Sequence, residues 1–324
     1  MSNEPTTTPA AGNADGASAT SGTFQASATS EAPAAWPAFM MQSPADLLDV
    51  EAIDVDLFIA PAMLHIDASR LPPRARLFGG QVAGQSLKAA ANTVEGDRPV
   101  HSLHCYFLRP GNPTLDLLFY VNRSRDGGSF TTRHVRARQG GETIFELIAS
   151  FHRPEPSDER ALPAAEVPSA EEVAAAAAPP SPAPPNPGDW FDMHEVPSDG
   201  DAGAHLDQSV LRYWIRIKEQ LADDPSLHAA LLAYMSDLRA GSAPMRAVGI
   251  DGPAPDMGVQ VASLDHAMWF HRPMRADGWL LMEVRPAAVS GSRSLVLGTI
   301  HDAAGLHGVS FTQELLLRRA RPTR

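Results

Sequence analysis

Tyr106-Phe107-Leu108-Arg109-Pro110 is matched 163 positions later by Trp269-Phe270-His271-Arg272-Pro273. At the same spacing Leu117 and Leu118 fall on Leu280 and Leu281, Val121 on Val284, Gly128 on Gly291 and Ser129 on Ser292. An ungapped correspondence that keeps both the apolar runs and the turn between them points to a duplicated unit. Around the first copy lie four strand-like runs, "PVHSLHCYFLRP", "LDLLFYVNRSRDG", "GSFTTRHVRARQG" and "ETIFELIASFHRP". Gly127-Gly128 and Gly140-Gly141 separate them as tight turns. Ahead of them, Leu77-Phe78-Gly79-Gly80 opens "QVAGQSLKAAA", whose small residues, with Val82, Leu87 and Ala90, suit a buried helix.

The second copy repeats this plan. "WFDMHEV" and "LRYWIRIK" read as strands. "DPSLHAALLAYMSDLRAG" reads as a helix with Asp224 as N-cap, Pro225 at its first position and Gly241 past its end. "VQVASLDHAMWFHRP", "WLLMEVRPAAVS", "SRSLVLGTIHD" and "HGVSFTQELLLRR" follow as strands. One helix followed by an antiparallel meander, twice, argues for an α+β architecture rather than βαβ units. Residues 1–46, rich in Ala, Ser, Thr, Pro and Gly, are expected to be a disordered extension. Residues 47–153 and 189–321 form the two globular units. The Ala/Pro-rich stretch 154–188 reads as the linker, with a short alanine helix ended by prolines.

Composition narrows the function. The 324 residues carry a formal net charge of −12, which argues against coating nucleic acid or an anionic membrane. Cys105 is the one cysteine, so no intrachain disulfide or cysteine-rich metal site is expected, and a reducing cytoplasm fits. No apolar run reaches the roughly 20 residues that a spanning helix needs. The start does not read as a secretory signal, and the last residues are not a Ser-Lys-Leu type tripeptide. Gly79, Gly80 and Gly84 do not make a dinucleotide fingerprint and are expected to allow close packing where the helix meets the sheet. Gly308-Val309-Ser310 is not completed as a nucleophile elbow. The scattered histidines make no metal constellation.

The quoted motifs resemble a known family. "LFGGQVAGQSLKAA", "HSLHCYFLRPG", "SRDGGSFTTRHVRARQ" and "ASFHRPEP" look like the N-terminal half of the acyl-CoA thioesterase II family, and "SLDHAMWFHRP", "WLL" and "TQELLLR" like its C-terminal half. The likeness covers nearly all of both globular units. It implies a double hot-dog fold, two tandem domains in each of which a long helix is wrapped by an antiparallel sheet. It implies hydrolysis of acyl-CoA to free acid and CoA without metal or organic cofactor, in a protein that associates as a homo-oligomer. Carried over by motif, the catalytic residues are Asp237 in "AYMSDL", Ser263 in "ASLDH" and Gln313 in "FTQEL". The sequence departs from the family just after the aspartate, at Arg239-Ala240-Gly241-Ser242-Ala243, which is smaller and more polar than the apolar continuation expected there.

These residue types suit the chemistry. A carboxylate accepts a proton from attacking water, and a hydroxyl and an amide hold that water toward the carbonyl. A thiolate leaves readily, so a strong general acid is less needed than for an amide. At the spacing of 163, Ser263 corresponds to Val100 and Gln313 to Ser150, so one centre per chain is expected, in the second unit. Two alternatives share the fold: a non-catalytic acyl-CoA-binding protein, and an enoyl-CoA hydratase using the adjacent pair Asp265-His266. Arg133, Arg136 and Arg138 read as a solvent face that also suits CoA phosphates.

Overall fold

The computed structural model describes residues 43–61, 75–176, 190–197, 206, 209–250 and 258–319; residues 1–42 of the expected extension and the Pro-rich part of the expected linker, 177–189, lie outside the described residues. The first unit runs α1 (Pro44–Leu48), β1 (Glu51–Asp54), β2 (Leu57–Ala60), α2 (Gly79–Ala91), β3 (Val100–Phe107), β4 (Leu117–Asp126), β5 (Phe130–Gln139) and β6 (Glu142–His152). After α3 (Ala170–Ala176), the second runs β7 (Phe191–Glu195), β8 (Leu211–Ile217), α4 (Pro225–Asp237), α5 (Ser242–Ala247), β9 (Val259–Ser263), β10 (Asp265–Phe270), β11 (Leu280–Ser290), β12 (Arg293–Asp302) and β13 (His307–Arg319). Ser43 and Pro44, read from composition as the end of the extension, instead start α1. The Ser43 hydroxyl accepts from the Asp46 N–H at 3.1 Å, and Pro44 fills the first turn, where no N–H is needed.

Among the described residues, thirteen strands make one sheet in the order β1-β2-β4-β5-β6-β3-β10-β13-β12-β11-β8-β7, with β9 against the far end of β13. The order reads the same from either edge once the halves are exchanged. At the seam, Asp265 pairs with Tyr106 and Trp269 with Ser102, while Ala267 faces His104. The shift of 163 turns each of the first two pairs into the other and the third into itself, which places a local twofold on the β3–β10 seam. The expected turns are present: Gly140 and Gly141, both at positive φ, join β5 to β6. Among the described residues no helix is long and apolar enough to cross a membrane.

Two corrections concern strand parity and register. Arg133 does not share the outer face with Arg136 and Arg138. An odd position in β5 points inward, beside Val135 and Ala137, and Arg133 is 1% exposed. Its guanidinium is held by Asp126 at 2.7 Å and by the Thr93 hydroxyl and carbonyl just past the C-terminus of α2, where positive charge is favoured. Register also changes one equivalence. Gln313 pairs with Val296, the counterpart of Arg133, and Arg133 pairs with Ala149. The longer β12–β13 turn adds one residue to the spacing, so Gln313 corresponds to Ala149, not to Ser150.

The concave face of the sheet holds α2 and α4, which run antiparallel and in contact. Gly80 and Gly84 of α2 face the α4 backbone. A Cβ on Gly80 would lie 2.6 Å from the Tyr234 carbonyl oxygen, and one on Gly84 would lie 2.9 Å from that of Ala230. Each end of the pair is tied by an α4 carboxylate. At one end the Asp224 N-cap takes a 2.6 Å ion pair from Lys88. Burial opposes that charge, but Lys88 and Ser226 outweigh it and hold the Asp224 carboxyl down at about 2. At the other end Asp237 meets the start of α2. Residues 154–176 pack along the second unit: Trp214 donates its indole N–H to the Pro168 carbonyl at 2.9 Å, Glu159 pairs with Arg272, and Ala170 and Val173 bury against Val196 and Leu281.

The helix contact is testable. Gly84→Val forces side-chain atoms into the Ala230 backbone and Leu48 and is expected to lower unfolding stability by about 1–3 kcal/mol. Urea denaturation should show a lower midpoint at unchanged slope; an unchanged midpoint would contradict the close approach.

Candidate active site

Three chain segments deliver the three sequence-predicted residues to one point. Asp237 is the last residue of α4, Ser263 the last of β9, and Gln313 lies midway along β13. Gln313 is inward because β13 alternates: Val309, Phe311, Gln313 and Leu315 face the helices. Ser263 reaches the same face through a bulge. β10 and β9 both pair with β13, but Ala267 faces Thr312 whereas Ser263 faces Leu315, so Leu264 is the extra residue. Without it, Ser263 and His266, three positions apart, would point to opposite faces. The first unit carries the matching irregularity between Val100 and Ser102.

The polar atoms converge. Gln313 Nε2 donates to Asp237 Oδ1 at 2.6 Å and to Ser263 Oγ at 2.7 Å, and Ser263 Oγ donates to Asp237 Oδ1 at 3.0 Å. The backbone N–H of Gly80 donates to Asp237 Oδ2 at 2.8 Å. Sequence reading missed this last donor. The signal for it was Gly79-Gly80 at a helix start preceded by Phe78, which caps no N–H group, so the orphan donors of the first turn seek an outside anion. Glycine is required at position 79 as well, since a Cβ there would sit 2.8 Å from Asp237 Oδ2 and 2.9 Å from the Phe107 ring.

Gln313 departs from the expected role in one respect. Both of its amide hydrogens are taken by Asp237 and Ser263, so it grips the carboxylate and the hydroxyl and has no N–H left for water. Gln313 is fully buried, whereas Asp237 and Ser263 line a cleft of about 890 Å³ between the two units. Phe78, Gly79 and Phe107 form one wall, and Met245 and Val261 part of the other. Arg239 and Arg246, in and beyond the segment that departs from the family pattern, also line it. Both are tied to Glu195, at 2.8 and 2.6 Å.

The adjacent pair Asp265-His266 does not act together. Asp265 points outward and accepts from the Glu314 N–H at 2.9 Å, while His266 points inward and is 2% exposed. Strand alternation separates them, and the geometry that an Asp–His hydratase pair requires is absent. His266 Nε2 lies 2.9 Å from Ser236 Oγ. Burial holds the His266 pKa below the usual imidazole value against the charges of Asp237 and Asp265 and the Gln313 contact, so the ring is neutral at neutral pH. In the first unit the positions equivalent to Ser263, His266 and Gln313 are Val100, Leu103 and Ala149, all buried and apolar.

Comparison with known proteins agrees with this architecture. Residues 68–152 match the acyl-CoA thioesterase N-terminal domain and residues 159–317 its C-terminal domain. The chain is 33% identical over 290 residues to acyl-coenzyme A thioesterase 8 of Homo sapiens, covering 84% of this chain and 88% of that one. It is 28% identical over 259 residues to acyl-CoA thioesterase 2 of Haemophilus influenzae, covering 75% and 88%. The crystal structure of the acyl-CoA thioesterase II TesB2 from Mycobacterium marinum superposes with a TM-score of 0.72 at 36% identity, over 86% of this chain and 99% of that one. A double hot-dog sheet, two antiparallel helices on its concave face and matches to both domains along the chain lead to one conclusion: the chain belongs to the acyl-CoA thioesterase family.

Proposed function

We propose that the chain hydrolyses acyl-CoA to a free acid and CoA at one centre, carried by the second hot-dog unit (189–321) and walled by the first (47–153). The observation that carries this reading is the convergence of Asp237, Ser263 and Gln313 within hydrogen-bonding distance beside an open cleft.

Asp237 is the general base. As water attacks the thioester carbonyl, a C–O bond forms, one water proton passes to the carboxylate, and the C–S bond then breaks to release the thiolate. The Ser263 hydroxyl donates a hydrogen bond to Asp237 and accepts one from Gln313. Its remaining lone pair accepts from the attacking water and aims that water's oxygen at the carbonyl. Gln313 is a positioning residue that holds Asp237 and Ser263 at a fixed separation. The developing oxyanion is stabilised by N–H groups at the start of α2, where Gly79 lines the cleft and the helix dipole is positive. The proton that Asp237 takes from the water then passes to the leaving thiolate, giving the CoA thiol and restoring the carboxylate for the next turnover.

Two measurements test it. Asp237→Asn is expected to lower kcat on acyl-CoA by roughly 10²- to 10⁴-fold while acyl-CoA still binds, with thiol release followed by a thiol reagent across a chain-length series. Binding without turnover by the wild type would leave the non-catalytic acyl-CoA-binding reading in its place. A single turnover in ¹⁸O-labelled water should put the label in the released acid and none in the Asp237 carboxylate. Label in Asp237 would mean that it attacks the thioester itself.

A further inference from the structure

The buried amide of Gln313 poses a problem that the catalytic scheme leaves open. An amide side chain fits its slot in two orientations, and only one presents N–H groups to Asp237 and Ser263. The flipped orientation would set a carbonyl oxygen 2.6 Å from a carboxylate oxygen, where Nε2 now stands. The orientation present leaves Gln313 Oε1 buried without a donor at full hydrogen-bond geometry. A buried acceptor left without a donor is destabilising. The Nδ1 of His266 is the complementary atom: also buried, also without a partner at full geometry. The β10–β13 register sets His266 beside Gln313 on the inner face, and the two side chains interact.

We propose that His266 is a positioning residue for the hydrolytic centre, acting as the neutral Nδ1–H tautomer that donates to Gln313 Oε1 and so fixes which way the Gln313 amide faces. This inference rests on the reading of Asp237, Ser263 and Gln313 as that centre. The far side of the ring accommodates this tautomer. Ser236 Oγ stands 2.9 Å from both His266 Nε2 and the Ala233 carbonyl, and its single proton goes to one of them. Given to Nε2, it leaves Nδ1 to carry the ring proton, the arrangement that also satisfies Gln313. A directed chain then runs from Ser236 through His266 and Gln313 to Asp237, the residue that follows Ser236 on α4. The first unit shows that the fold itself has no need of the ring. There the same two positions are Leu103 and Ala149, paired in β3 and β6 and fully buried.

The experiment uses the full chain. His266→Leu copies the first unit and is expected to lower kcat roughly 10- to 100-fold, the scale of a misplaced catalytic group, with KM unchanged. His266→Asn, which restores an N–H near the Nδ1 position, should recover most of that loss. In the wild type, ¹⁵N-histidine NMR should show His266 as the Nδ1–H tautomer, and this reading holds even if His266→Leu fails to fold. Wild-type kcat in His266→Leu, or an Nε2–H ring, overturns the proposal while an inactive Asp237→Asn leaves the centre standing. An active Asp237→Asn would instead remove the centre on which the proposal depends.

Discussion

The molecule is organised around the contact between the end of α4 and the start of α2. Glycines at 80 and 84 let two antiparallel helices approach until backbone meets backbone, and that approach sets the Asp237 carboxylate on the Gly80 N–H. A side chain at either glycine would separate the helices and withdraw the carboxylate from β13 and β9. The same contact closes one side of the cleft, since the Gly79 turn and the Phe78 and Phe107 rings come from the first unit while Asp237 and Ser263 come from the second. Neither unit has a complete site: the carboxylate of one is held by the backbone of the other.

After duplication the two units diverged, and among the described residues this interlocked cluster lies in one of them. The seam between β3 and β10 relates the units by a local twofold, and three of the polar members in the second unit have apolar counterparts in the first. Val100, Leu103 and Ala149 stand where Ser263, His266 and Gln313 stand. The first unit is thereby free to serve packing. Its own buried charge, Arg133, closes the end of α2 with Thr93 and Asp126. A buried polar cluster is tolerable only when its members satisfy one another, and concentrating that demand in one copy limits its cost.

Much of this was legible in the residues. The helix with Asp224 at its cap and Pro225 at its start is local chemistry, and the spacing of 163 carried strand order and turn positions. Family motifs marked Asp237, Ser263 and Gln313, and the structure brings them together. What periodicity could not supply was register. The bulge at Leu264 is invisible in a run of strand-forming residues, and the longer β12–β13 turn moved the counterpart of Gln313 from Ser150 to Ala149. At Arg133 charge and parity conflict: the charge reads as a surface marker, but the odd position in β5 points inward. The Gly80 N–H, being backbone, left a trace only in the glycines around it. The hairpin β1–β2 and helix α5 were not foreseen, as both are too short to show a period.

The proposed hydrolysis requires the thioester to meet the Asp237 carboxylate in the second unit. A crystal structure of Asp237→Asn with an unhydrolysed acyl-CoA tests that most directly. The thioester carbonyl is expected in the cleft beside residue 237, Ser263 and Gly79, with its oxygen toward the start of α2. A thioester bound away from these residues, or seated against Val100 and Ala149 in the first unit, would contradict it.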